Sequence, residues 1–137
     1  QLEDPLRANP LISQAVVVGD AKPFVSALIS IDEEMLPIWL ENNGIKEKMS
    51  IEDATNNPLV IAEISKAIEA VNSKVSTAES IRKFALLPKD LTEKTGHLTP
   101  SLKIKRSVVM EDFSHLFDDI YAASAKSTCH NIGDYKI

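Results

Sequence analysis

The apolar positions of this chain change period several times, and each change predicts an element. Leu2 to Ala8 reads as a short helix, with acids early and Arg7 late, closed by Asn9-Pro10. "ISQAVVVGD" is a compact run rich in β-branched residues, and in "FVSALISI" the residues Val25, Ala27, Ile29 and Ile31 alternate. Gly19-Asp20 and Pro23 supply turn chemistry between the two runs, so together they predict a β-hairpin. Asp32 is a candidate N-cap ahead of Glu33 and Glu34, which would sit at the positive end of a helix dipole. Pro37 is expected in a turn preceding a helix that runs to about Asn43, where Gly44 stops it. Ser50 with Asp53 predicts the cap of one short turn.

The clearest helix begins at Asn57-Pro58, a cap followed by a first-turn proline. Ile61, Ile64, Ile68, Val71 and Val75 recur at spacings of three and four, forming one apolar stripe, while Lys66, Glu69 and Lys74 face away. "RKFALLP" reads as a third strand stopped by Pro88, and a polar loop follows from Lys89 to Thr95. From Arg106 to about Ala122, Val109, Phe113, Leu116, Phe117 and Ile120 fit one final amphipathic helix. From Ser124 onward the chain is polar and aperiodic, which predicts a loosely held tail over 124–137. The pattern as a whole predicts an α+β fold, a small sheet of about three strands including a hairpin, covered by helices. Residues 1–123 are expected to form that domain.

Composition narrows the possibilities. A chain of 137 residues, 44% apolar and 26% charged, has the size and balance of one globular domain. A net charge of −5 argues against a nucleic-acid binder, whose footprint is a broad basic face. The single cysteine, Cys129, cannot form an intrachain disulfide, which fits a reducing cytoplasm. The apolar runs are too short to cross a bilayer, and Gln1-Leu2-Glu3-Asp4 does not open like a signal peptide. A start without methionine is read as a sign of a fragment or processed chain.

Most familiar chemistry finds no support in the pattern. His97, His115 and His130 fall at no metal-ligand spacing and are expected to be surface residues, so no metal site is predicted. No nucleophile signature appears, and four scattered glycines make no phosphate-cradling loop. The carboxylate pairs Glu33-Glu34 and Asp118-Asp119 are accounted for by helix ends and solvation. What remains is "GHLTPSLKIKRSVV", Gly96 to Val109, where Lys103, Lys105 and Arg106 fall within four positions of an acidic chain. Thr99-Pro100 stiffens the approach, Gly96 provides a permissive backbone, and Lys103 lies just before a helix. A long cation on a defined loop suits an anionic ligand such as a phosphate or carboxylate.

At these residues the sequence resembles a known family. "HLTPSLKIKR" is similar to the C-terminal lysine motif of long-chain fatty acyl-CoA synthetases, members of the AMP-forming adenylating superfamily. "QLEDPLRANPLISQAVVVGDAKPFVSALI" resembles the opening of their small C-terminal domain, and "IDEEMLPIWLENNG" the segment after its hairpin. The likeness runs in order from Gln1 to about Ala122. Ser101-Leu102 stands where the wider superfamily has Ser-Gly, as in the long-chain branch. The tail "SAKSTCHNIGDYKI" has no recognised counterpart.

The resemblance implies a mobile lid domain that rotates between two poses on a large N-terminal domain, its partner. One pose makes acyl-adenylate from fatty acid and ATP, and the other passes the acyl group to coenzyme A. ATP and Mg2+ would be bound mainly by the large domain, and this chain alone is expected to be inactive. Lys103 matches the lysine that meets the acyl carboxylate and the α-phosphate during adenylation. Lys105, Arg106, Gly96 and Thr99 are candidate nucleotide- or substrate-binding positions, and Glu3 matches an acidic residue expected to be structural. The implied enzyme is cytoplasmic, or peripheral to a membrane, with no nucleic-acid partner. The lid of another adenylate-forming ligase (an aryl-CoA ligase or a peptide-synthetase adenylation domain) remains a second reading. A non-catalytic module docking an acidic or phosphorylated partner is a third.

Overall fold

A computed structural model describes residues 2–122 and 126–132. Its elements, in chain order, are α1 (Glu3–Arg7), β1 (Ile12–Val18), β2 (Val25–Ile31), α2 (Met35–Asn42), α3 (Ile51–Ala54) and α4 (Pro58–Asn72). They continue with a 3-10 turn (Thr77–Glu79), β3 (Ile81–Leu86), α5 (Arg106–Asp112), α6 (Ser114–Ile120) and β4 (Cys129–Asn131).

The expected hairpin forms: β1 and β2 pair antiparallel, with a bulge between Ile12 and Gln14. β3 lies parallel to β2 and β4 antiparallel to β3, giving the order β1-β2-β3-β4. A parallel pair needs a long crossover, and the segment carrying α2, α3 and α4 provides it. Side chains alternating along the strands then feed two cores. Ala27, Ile29, Ile31, Phe84 and Leu86 pack with Leu6, Leu36, Val60, Ile64 and Ile68 on one face. Leu28, Ala85 and Leu87 pack with Leu91, Leu98, Val109, Phe113, Leu116 and Ile120 on the other. The molecule is therefore a sheet between two helical layers, α+β as expected.

Several expectations are corrected. The sheet has four strands, because Cys129–Asn131 pairs with β3 and Ile132 is buried, so this part of the tail is packed rather than loose. The rest of that tail, 124–125 and 133–137, lies outside the described residues. Pro37 sits in the first turn of α2 rather than before it. There it removes only an N–H that a helix start leaves unpaired, and Asp32 caps the turn by accepting from the Glu34 and Met35 N–H groups. In α4 the Asn57 cap forms as expected, but Val60 joins the buried stripe, Ile61 is half-buried and Val75 falls beyond the helix. The single final helix is two: at Phe113 (φ −114, ψ 25) the backbone leaves helical geometry, and the ring is buried.

Polar groups inside the fold have partners. Lys83, only 4% exposed, points its ammonium at the Ile120 carbonyl (3.4 Å), where the C-terminus of α6 favours a cation. The Tyr121 hydroxyl lies 2.8 Å from Ser26 Oγ and donates toward the Phe24 carbonyl, and burial raises its pKa. Asp90 holds the segment after β3 to the sheet by accepting from Ser13 Oγ (2.6 Å) and from the Glu33 N–H (2.9 Å).

The burial pattern predicts a sharp contrast along α4. Ile64, fully buried, should lose about 2–5 kcal/mol of stability on replacement by alanine. Leu59, exposed on the same helix, should change by no more than about 0.5 kcal/mol. Urea unfolding of the two variants measures the difference, and equal losses would contradict the packing described.

Candidate functional site: a lysine at the tip of a pinned hairpin

The segment after β3 folds into a small hairpin of its own. Leu98 and Ile104 bridge antiparallel, and the Lys105 N–H donates to the His97 carbonyl at 2.8 Å. At the tip, the Thr99 N–H donates to the Lys103 carbonyl and the Leu102 N–H to the Thr99 carbonyl, both at 2.8 Å. Thr99 Oγ1 also accepts from the Lys103 N–H at 3.0 Å. Three loop residues, Pro100, Ser101 and Leu102, thus close a hairpin whose last loop position adopts positive φ, a geometry usually filled by glycine. Here Leu102 takes it, with φ +64 and 63% exposure. Proline suits the first loop position because its φ is already set.

The hairpin is held to the body from both of its strands. On one side His97, expected at the surface, is 1% exposed. Its Nε2–H donates to Asp112 at the end of α5 (2.7 Å), its Nδ1 lies 2.7 Å from Thr95 Oγ1, and its ring packs on Phe113. On the other side Arg106 opens α5 and reaches back to the start of the chain. Its Nη1 donates to Glu3 Oε2 and its Nη2 to the Val17 carbonyl, each at 2.6 Å. The same Glu3 oxygen accepts from the Val17 N–H at 2.8 Å. Leu91 and Leu98 are buried as well, so the segment from Lys89 to Leu102 is anchored at Leu91, His97 and Leu98, while Lys89, Glu93, Lys94 and the tip stay exposed.

The predicted residues therefore separate. Lys103 and Lys105 are exposed, and among the described residues no carboxylate pairs with either. Gly96 has φ +85, the permissive backbone anticipated, and Thr99 closes the tip. Arg106, a candidate phosphate contact, is already occupied by Glu3 and Val17. His115 is exposed, and His130, half-buried against Phe84, has its pKa lowered by burial. Among the described residues no three His, Cys, Asp or Glu side chains gather to hold a metal. An open apolar groove lined by Leu36, Leu40, Ile45, Met49 and Pro88 contains none of the predicted site residues. The sequence missed the Glu3–Arg106 and His97–Asp112 pairs; an acid in the opening motif was the one partial signal.

The fold is a layered α+β body that carries, at the tip of a closed hairpin, an exposed lysine with no carboxylate partner among the described residues. Residues 1–125 match the AMP-binding enzyme C-terminal domain, and the chain belongs to that family. It is 55% identical over 120 residues to the long-chain-fatty-acid–CoA ligase FadD15 of Mycobacterium tuberculosis, covering 88% of this chain and 20% of that protein. It is 30% identical over 138 residues to the chicken long-chain-fatty-acid–CoA ligase ACSBG2, covering 88% and 18%. The chain thus spans about a fifth of the length of these curated relatives. Among solved structures, the A domain of a carboxylic acid reductase from Segniliparus rugosus, in complex with AMP and a co-purified carboxylic acid, superposes with a TM-score of 0.65. That match has 18% identity and covers 88% of this chain and 17% of that one, a likeness of fold.

The two positive-φ positions of the segment should respond oppositely to substitution. A Cβ at Gly96 would meet nothing within 4 Å, so Gly96→Ala carries a purely conformational cost of about 1–2 kcal/mol. Leu102→Gly relieves the same kind of strain and forfeits little burial. It should leave the domain as stable or up to about 1 kcal/mol more stable, the gain being trimmed by glycine's larger unfolded-state entropy. Thermal unfolding of both variants reads the signs.

Proposed function

We propose that this chain is the mobile C-terminal lid of a long-chain fatty acid–CoA ligase, and that Lys103 is its catalytic contribution to forming the acyl-adenylate. The observation that carries the reading is the placement of Lys103: an exposed ammonium without a carboxylate partner, on a hairpin whose backbone is closed by Thr99 and fixed at its base. The names of the relatives supply the substrate class. In the first half-reaction a fatty carboxylate attacks the α-phosphorus of ATP, and pyrophosphate leaves. Two anions must approach one another, and negative charge builds on the α-phosphoryl oxygens. The Lys103 ammonium, brought there by the hairpin, screens the approach and stabilises that charge without reorganising. In the second half-reaction the lid takes its other pose on the large domain, Lys103 leaves the reacting atoms, and coenzyme A captures the acyl group.

On this reading ATP and Mg2+ are bound mainly by the large domain. Magnesium there would neutralise the departing pyrophosphate. Lys105, with its backbone fixed to His97 and its side chain exposed, is available to a phosphate of the nucleotide or of coenzyme A. No helix among the described residues is long and apolar enough to cross a membrane. On the proposed reading the enzyme is cytoplasmic, with peripheral membrane contact compatible with its substrate.

In the full-length ligase, Lys103→Ala should slow adenylate formation, followed by ATP–pyrophosphate exchange, on the order of 10²–10³-fold. Thioester formation from supplied acyl-adenylate should be largely spared, and Lys105→Ala should matter much less to exchange. Equal slowing of both half-reactions by Lys103→Ala would mean structural damage and would overturn the assignment.

A further inference from the structure

We infer that Glu3 and Arg106 form a positioning pair that sets where Lys103 is presented during adenylation, rather than a nucleotide contact; this rests on the reading of Lys103 above. Arg106 is three residues beyond the catalytic lysine, at the point where the hairpin strand becomes α5. A guanidinium so close to Lys103 invites assignment as a second phosphate ligand. The geometry speaks against it. Nη1 is committed to Glu3 Oε2 and Nη2 to the Val17 carbonyl, each at 2.6 Å. Glu3 closes the ring by accepting from the Val17 N–H at 2.8 Å. A carboxylate at 2.6 Å already neutralises this cation, and recruiting Arg106 to a phosphate would leave Glu3 uncompensated beside that anion.

What the ring does is mechanical. It joins three places distant in sequence: the first turn of the chain, the outer end of β1 and the root of the Lys103 hairpin. Arg106 is exposed and Glu3 largely covered (46% and 23% accessible), so the link depends on the planar fork more than on burial. The His97–Asp112 contact fixes the other strand of the hairpin, yet it ties the hairpin only to α5, the element that Arg106 itself begins. Among the described residues, the Glu3–Arg106 pair is the ion pair that joins the hairpin root to α1. On the proposed reading, in which the large domain precedes this one, α1 is the element nearest to it along the chain. The pair therefore sets the angle between the interdomain junction and the lysine tip. Its loss should misplace Lys103 by a fraction of its reach, and small displacements of a catalytic group cost up to about 100-fold in rate.

The test is a double-mutant cycle in the full-length ligase, with both half-reactions measured. Glu3→Ala and Arg106→Ala should each slow adenylate formation by about 10- to 100-fold through kcat, with KM for ATP and fatty acid nearly unchanged. The double variant should be no slower than the worse single one, because each substitution breaks the same link. Thioester formation from supplied acyl-adenylate should stay within about twofold, since Lys103 is not used there. Arg106→Lys keeps the charge but cannot bridge Glu3 and Val17 together, so it should show the same selective loss, and Glu3→Gln, which still accepts, should recover part of the rate. If the alanine variants fail to fold and lose both half-reactions, the two conservative variants decide. A rise in KM for ATP with kcat intact would make Arg106 a phosphate ligand and overturn the inference. So would full adenylation activity in Arg106→Lys. Lys103→Ala is assayed alongside: if it spares adenylation, the reading of Lys103 fails, whereas if only the Glu3 and Arg106 variants do so, the positioning role alone fails.

Discussion

β2 is buried from Ser26 to Ile31, with helices on both faces of the sheet and a strand on each side, and the remaining architecture follows from accommodating it. One neighbour, β1, is joined to it by a short connection over residues 19–24, too short for a crossover, and so pairs antiparallel. The other, β3, runs parallel and so requires the α2–α4 crossover, whose helices seal one face. Sealing the opposite face falls to the chain after β3. That segment must cover Leu28, Ala85 and Leu87, and it does so with Leu91, Leu98, Val109, Phe113, Leu116 and Ile120. The lysine hairpin is thus a product of the same packing: His97 and Leu98 of its first strand are core residues, while Lys103, Lys105 and Arg106 stay exposed.

This arrangement combines two features at Lys103: its side chain is exposed, and the backbone that carries it is fixed. Exposed loops are ordinarily mobile because they bury little. Here the fixing is done one turn away from the tip, by His97 in the core and by Arg106 on the surface, while Thr99 and Pro100 stiffen the last few residues. Leu102 carries the residual strain at φ +64. The strained position is exposed and lies directly beside Lys103.

Much of this was legible in the residues themselves. Asn57-Pro58 announced α4, the alternation from Val25 to Ile31 announced a strand of the hairpin, and Ser50 announced the α3 cap, whose oxygen accepts from the Asp53 N–H. The misreadings share a physical origin. Pro37 was displaced from α2 because a proline's cost depends on whether it falls in the first turn, and the helix start was set by Asp32. Arg106 to Ala122 has a continuous helical period, yet burying both Val109 and Phe113 and then Leu116 and Ile120 required the chain to bend at Phe113.

By itself the sequence determined what short-range physics controls: strand and helix periods, caps, turn chemistry, and a lysine set between a stiff Thr-Pro and a helix start. Those preferences act within a few residues, so they can be read from a few residues. Only the tertiary structure decided what depends on distant segments meeting. Arg106 became a clamp because Glu3, 103 positions away, arrives beside it on α1. His97 became a core residue because Asp112 and Phe113 close over it. Cys129–Asn131 became a strand because β3 presented a free edge. A polar side chain does not encode its partner locally; the partner is chosen by which surfaces the hydrophobic core brings together.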